Sequence, residues 1–524
     1  MDSDPSFIAR LRSAWAARRD LFARRSELWR QRPRLAPVYV GAFGVLLIYL
    51  TLGMLHVGVM KTYQSGDERR HVAYAVELAD GGEWPKVTDP LPAKKLHEKK
   101  GGNMAAATHP PLYYWYVGTV LDHTPNMKAL ARRIFIARAM TVLLGAVGLV
   151  YVLRIGRLLF PRHDAIALAM MTIVGMLPGF INISALVNND ILGAFTAYAA
   201  FHGALRILML GPTPWRVISA AFWMSLAPFS KLSGGIVVGP ALLLAFIGLI
   251  WHLRGGWLRR LAIASAVAAA MLGAVVAVSG WFYLRNYRLY GDLTGSTAFL
   301  PLFKRKPNAS TFTLITSLKP WATFFQHLWV RLAGGIDFQG ALRRLPSALC
   351  AIPLLGAVKA AVHVWLARKR IGEIFSRKML TGVTLGWVAF GCLMLAMFMY
   401  HSKGGSMNAR YSLAVIWVPA LVLAIGMASV RSPALMQWSL ASFVVSTLVI
   451  TETYAHAIFR KQGIKDFAIA NALSRGKASH LGDFTLLALG LVCLGLVLLL
   501  WAVARTHRRI DTLDDAVPAP SVPS

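Results

Sequence analysis

Residues 486–500 read LLALGLVCLGLVLLL, without a single charge and without alternation of apolar and polar side chains. A barrel strand facing lipid on one side and a lumen on the other would alternate, so this run is helical. Together with its flanks it reaches the ~20 residues that cross a hydrocarbon core of roughly 30 Å. LLLAFIGLI at 242–250 has the same character. Comparable spans are expected near 37–60, 133–158, 164–183, 190–209, 216–230, 233–251, 261–284, 346–366, 380–400, 411–429, 435–455 and 484–504. The fold class expected is therefore all-α and polytopic, with about 12 transmembrane helices.

Composition agrees. Of 524 residues, 56% are hydrophobic and 15% are charged, a low charge content for a soluble protein. The formal charge is +33, from 56 Lys plus Arg against 23 Asp plus Glu. These charges lie between the apolar spans, which reads as topology and contact with anionic headgroups, not as nucleic-acid binding. The same excess suits an anionic, phosphate-bearing substrate. Cys350, Cys392 and Cys493 fall in apolar surroundings without a C-x-x-C pair. They are expected to be buried small hydrophobes, not a disulfide framework or a zinc site.

The first apolar run begins near Ala36, after a long Arg-rich arm, so no cleavable signal is expected. Residues 1–36 form this arm, cytoplasmic by its charge. Its Phe, Leu and Trp residues also allow a helix lying on the membrane surface. A transmembrane domain is expected over 37–505, and a cytoplasmic, partly disordered tail over 506–524. Arg154, Arg157, Arg254, Arg259, Arg368, Arg508 and their neighbours then all fall inside. The external segments are a long first loop, 61–131, a second loop SALVNND, a third at 285–345, and HSKGGSMNARYS at 401–412. No internal repeat is evident.

The first loop opens with SGDERRHVAYAVELADGGEWP, 65–85. Ser65-Gly66-Asp67 can start a helix and Gly81-Gly82 can stop it. Val72, Ala75, Val76 and Ala79 would give the helix an apolar, interfacial face. Asp67 and Glu68 are explained either by the helix N-terminus, which favours acid, or by catalysis. In THPPLYYWYVG, 108–118, the Pro-Pro pair can begin a helix, and the aromatics suit a membrane interface. His109 just ahead of it is a candidate phosphate partner. Asn188, Asn189 and Asp190 can cap the next helix or act at the membrane boundary. Lys231 can snorkel or bind an anion. Arg285, Arg288 and Asp292 open the third loop; His401, Lys403, Arg410 and Tyr411 belong to the fourth. Each set can be membrane-edge anchors. All of these candidates map to one face, as a single cavity between helices requires.

The order GDERRH…ELADGGEWP, HPPLYYW, VNND, LRNYRLYGD and ARYSLAVIWVPAL resembles the GT-C membrane glycosyltransferases. The likeness is to the bacterial branch related to protein O-mannosyltransferases and lipid A aminoarabinose transferases, and covers residue 67 to about 420. The resemblance implies a GT-C-like bundle whose active site lies between the first external loop and the membrane. It implies sugar transfer from a polyprenyl phosphate to an acceptor (protein, lipid or glycan) outside the cytoplasm, usually with inversion. It implies Asp67 as catalytic base with Glu68 supporting it, and Asp190 at a position that in some members helps bind a divalent metal. In the aminoarabinose branch the residue before Pro-Pro is often a phosphate-contacting Lys; here it is His109, and no clear DxD motif is present. The phosphate-binding candidates are His71, His109, Lys231, Arg285, Arg288, Arg410 and Tyr411. Location in a bacterial inner membrane with a periplasmic site follows from the same likeness.

The residue types suit that chemistry. A carboxylate can take the acceptor's proton, and a lipid-phosphate leaving group needs cations rather than an acid. A two-carboxylate glycosidase fits less well. Two rivals stay open: a transporter or flippase, which would place ionisable groups near the midplane on broken helices, and a non-catalytic component of envelope polysaccharide assembly.

Overall fold

The structure is a computed structural model. It describes residues 36–63, 65, 67–81, 84–96, 102–122, 126–329, 331–332, 336–337, 354–359, 361–362, 376–429, 432–461 and 481–507. The Arg-rich arm, Cys350, most of the expected span at 346–366 and nearly all of the tail lie outside the described residues.

The chain is an integral membrane protein built from helices. Among the described residues, eight helices are long and apolar enough to cross a membrane: Pro37–Val59, Lys128–Leu159, Asp190–Leu210, Leu232–His252, Trp257–Tyr290, Arg377–Ser402, Pro433–Ala455 and Leu487–Thr506. Two bent pairs pass the same test only when joined. Asp164–Gly175 meets Pro178–Ser184 at 62°, and Ala409–Val415 meets Trp417–Ala428 at 69°. The first bend is fixed by Pro178, which cannot donate a backbone hydrogen bond but can start a new helix. The expected span at 216–230 is the helix Pro214–Ser230, whose 17 residues are short for a crossing. Among the described residues, strand pairing is limited to Arg331–Leu332 against Ile336–Asp337 and a single bridge between Pro90 and Asn103.

The first and last described helices pack tightly. A Cβ on Gly44 would sit 2.5 Å from the Gly495 carbonyl oxygen, so only glycine admits this approach. Cys392 and Cys493 are exposed on helix exteriors, contrary to the expected burial. They lie on outward faces of spanning helices, where an apolar solvent tolerates a small thiol as well as a core does.

A second, smaller core lies under the segment that follows the first span. The helix Glu68–Ala79 buries Val72, Ala75 and Val76 against Tyr113, Tyr114, Val117 and Leu121 of helix Leu112–Leu121. Tyr74 is also fully buried, so the apolar face of the helix is covered by protein, while Arg69, Arg70 and Glu77 stay partly exposed. Helix Leu112–Leu121 begins directly after Pro110-Pro111, as the sequence predicts. Its aromatics divide: Trp115 and Tyr116 face outward, while Tyr113 and Tyr114 turn into this core. Tyr113 shares a 2.7 Å hydrogen bond with Thr141 and accepts one of 3.0 Å from the Asn188 amide. The aromatic-belt reading therefore applies to only half of the motif.

Candidate active site

Glu68 and Asp67 are neighbours with different environments. Glu68 is completely buried and paired with Arg138, whose Nε and Nη2 donate to its two oxygens at 2.8 and 2.6 Å. The Val187 amide donates a third bond of 3.0 Å to Oε1. Arg138 also caps the carbonyls of Met60 and Lys61, both at 2.7 Å. This arrangement ties the start of helix Glu68–Ala79 to the end of the first span, to the second long helix and to the turn before Asp190. Glu68 lines neither of the two cavities that Asp67 lines, and it anchors the start of the helix that carries Asp67, which suits the supporting place expected of it. Arg138 was missed in the sequence because it sits within an apolar span beside other Arg residues.

Asp67 makes no capping hydrogen bond at the helix start. Its side chain remains half exposed and accepts a 2.6 Å bond from Arg410 Nη2. Arg70 lies 3.9 Å from its other oxygen. The Arg410 guanidinium holds the Asp67 carboxyl far below the usual carboxylate range. Asp67 is therefore ionised; it stands at the N-terminal end of the helix, where an acid is favoured, while its side chain bonds Arg410 in place of a backbone amide.

Asp190 opens helix Asp190–Leu210 and is buried. Its Oδ1 accepts from Lys231 Nζ, and Arg410 Nε stands 3.9 Å from its Oδ2. The VNND turn around it is structural in part: Asn188 accepts from the Asp190 amide at 2.8 Å, and Asn189 donates to the Ser230 carbonyl at 3.0 Å. Gly193 makes the Lys231 pair possible, since a Cβ there would lie 2.7 Å from Lys231 Cβ. Asp67, Arg410, Asp190 and Lys231 thus form an alternating chain of charges from four separated segments.

This donor set does not suit the divalent metal that Asp190 was expected to help hold. Cations already face both of its oxygens. Among the described residues, no group of three or more His, Cys, Asp or Glu is placed to hold a metal ion.

His71 stacks between His109 and Tyr114, with ring centroids 5.6 and 5.7 Å away, and shares a 2.7 Å hydrogen bond with the Tyr114 hydroxyl. Burial pushes its pKa down to about 4. Burial, with Lys231 and His71 nearby, holds His109 well below its ordinary value. Both imidazoles are neutral near pH 7, so they offer hydrogen bonds and shape rather than charge.

Two cavities meet at Asp67 and Arg410. The smaller, about 370 Å³, is also lined by His71, His109, Asp190, Lys231 and Tyr411. Its wall continues into Leu232 and Ile236 of one spanning helix and Leu393, Ala396 and Met397 of another. Lys403, one of the fourth-loop candidates, lines it too, as does Arg70, which was not a candidate. The larger cavity, about 760 Å³, opens on the other side of Asp67.

Two of the expected phosphate-binding residues are not brought there. Arg285 donates to the carbonyls of Trp84 and Pro85 at 3.2 and 2.9 Å and lies 5.9 Å from the Trp84 ring centre, pinning the stretch of the first loop that follows helix Glu68–Ala79. Arg288 is exposed, and neither residue lines either cavity. They lie on the outward and loop-facing sides of their helix. Asp292 is engaged locally, accepting from Ser296 and Thr294 hydroxyls at 2.7 and 2.9 Å.

No family model matches the chain, and no curated protein matches it. Among solved structures it is similar to ArnT from Cupriavidus metallidurans bound to undecaprenyl phosphate, at 14% identity over 89% of this chain and 77% of that one, with a TM-score of 0.43. It is also similar to the Archaeoglobus fulgidus oligosaccharyltransferase in the apo form, at 12% identity over 89% of this chain and 56% of that one, with a TM-score of 0.42. A third likeness is to the S. cerevisiae protein O-mannosyltransferase Pmt1-Pmt2 complex bound to the sugar donor, at 14% identity over 49% of this chain and 34% of that one, with a TM-score of 0.35.

Proposed function

We propose that the chain is a glycosyltransferase of GT-C type. It moves a sugar from a polyprenyl-phosphate donor to an acceptor hydroxyl on the external, periplasmic face of a bacterial inner membrane. The observation that carries this reading is the shape of the smaller cavity. Its cationic head, with Lys231 and Arg410, runs without a break into an apolar wall between two spanning helices. That is the complement of an anionic amphiphile whose tail stays in the bilayer.

In the reaction, the acceptor oxygen attacks the anomeric carbon and the bond from that carbon to the phosphate oxygen breaks. The electron pair leaves with the lipid phosphate, whose charge Lys231 and Arg410 meet. The acceptor proton passes to Asp67 and from there to water. Arg410 links the two events. A donor phosphate gives it a second anion, which weakens its hold on Asp67 and raises the basicity of that carboxylate. No metal step is needed for this balance.

The test is Asp67→Asn in purified protein supplied with a lipid-linked sugar pool. Transfer should disappear while undecaprenyl phosphate still binds. Full transfer by this variant would sink the assignment. The transporter reading has one observation on its side, the two bent helices, one of which carries Arg410. Flux of a lipid-linked sugar across liposomes, without product, would favour it.

A further inference from the structure

The larger cavity has a charge that the reaction itself does not require. Of the described residues lining it, Asp67 is the one carboxylate, and it is already bonded to Arg410. Against it stand Arg305 and Lys319, two basic residues from separate segments, and His327 and His401 also line the wall. His401 Nδ1 lies 2.7 Å from the Gly405 carbonyl, which can only accept, so Nδ1 carries the proton and Nε2 is the ring's remaining polar atom. Asn308 is fixed beside it, donating to the His401 carbonyl at 2.8 Å.

A neutral sugar or a serine-type hydroxyl would leave this positive potential unanswered. Cations on the walls of a cleft concentrate an anion there. A volume of about 760 Å³ is that of a pocket for a molecule of a few sugar rings.

We propose that this cavity receives an acceptor that carries a fixed negative charge, a phosphate or a carboxylate, gripped by Arg305 and Lys319 with its hydroxyl directed at Asp67. The word acceptor rests on the glycosyltransferase reading; the anion site does not. His401, at the end of helix Arg377–Ser402, lines this cavity, and the same two cations suit a phosphate on a lipid headgroup or on a soluble glycan.

The experiment uses the full chain in phosphatidylcholine nanodiscs, with glucose 6-phosphate as probe and glucose as its neutral control. Glucose 6-phosphate should bind and glucose should not, and Arg305→Gln with Lys319→Gln should weaken binding at least tenfold. That double variant should still bind undecaprenyl phosphate, which shows that it is folded. Saturating undecaprenyl phosphate should not displace the probe. Equal binding of glucose, an unchanged affinity in the double variant, or displacement by undecaprenyl phosphate would each overturn the proposal. Phosphatidylglycerol nanodiscs name the source: competition through the same two cations identifies a lipid-borne phosphate, and undiminished binding identifies a soluble anion. Failure of undecaprenyl phosphate to bind the wild-type chain would remove the donor reading while leaving the anion site standing.

Discussion

Arg410 donates to Asp67 at 2.6 Å across 343 positions of sequence, and its other face is directed at Asp190. One guanidinium therefore holds together two acids from different loops at the meeting point of two cavities. Arg410→Ala should leave Asp67 without its closest partner and the donor phosphate with Lys231 as its remaining cation. Initial rates should fall about 10²–10³-fold, the range for removing one preorganised donor. Arg410→Lys should recover only part of this, since an ammonium cannot address both acids with a planar fork. Equal rates for Arg410→Lys and wild type would show that charge alone is needed.

Glu68 makes the opposite prediction from its neighbour. Its loss strands the Arg138 guanidinium in the protein interior, and breaking a buried pair on one side costs roughly 3–5 kcal/mol. Glu68→Gln should therefore lower thermal stability in detergent sharply. Asp67→Asn should leave stability nearly unchanged while reducing transfer about 10²–10⁴-fold. If the two variants exchanged these signatures, the assignment of the catalytic and the positioning carboxylate would be reversed.

The acid limb of stability belongs to histidine. His71 is held at about 4, below the 6.5 of an unfolded chain. Its neutral form is therefore part of the fold. The contribution is complete above pH 6.5 and is lost as pH falls toward 4, by up to about 3 kcal/mol at 1.36 kcal/mol per unit. The groups around it are Asp67 and Asp190, which favour its charge, and Arg410 and Lys231, which oppose it. Asp67 stays ionised through this window. Unfolding measured from pH 7.5 to 4.5 should lose stability in the wild type and much less in His71→Gln; parallel curves would place the acid limb elsewhere.

What the sequence made legible follows from local physics. Length and continuous apolarity place most of the spanning helices within a few residues, because hydrocarbon thickness sets a hard requirement. Pro110-Pro111 marks a helix start for an equally local reason. Asp67, Asp190, Lys231, His109 and Arg410 could be gathered on one face by topology and by motif order. From the residues alone Glu68 and Asp67 could not be told apart, because adjacent acids differ only in which partner the fold brings to each; the family resemblance alone distinguished base from support. Arg285 and Arg288 read as phosphate ligands since a basic loop looks alike whether it points into a cavity or holds a loop. Arg138 was hidden by its neighbours. An Arg inside the start of an apolar span, with an otherwise unexplained Glu across the loop, is the signal that could have found it.

Gly193 tests whether the Lys231–Asp190 pair is required as drawn. A methyl group there would lie 2.7 Å from Lys231 Cβ, and the helix backbone beneath it cannot withdraw. Gly193→Ala should push Lys231 off Asp190, with an overpacking penalty of about 1–3 kcal/mol. Asp190 would then keep only the longer Arg410 contact, and the donor phosphate would lose its second cation. The expected result is weaker undecaprenyl phosphate binding together with slower transfer, while glucose 6-phosphate binding to the larger cavity is unaffected. Lys231→Met should reproduce the binding defect without the crowding. A Gly193→Ala protein that binds undecaprenyl phosphate as well as wild type would mean that Lys231 reaches the phosphate by another path.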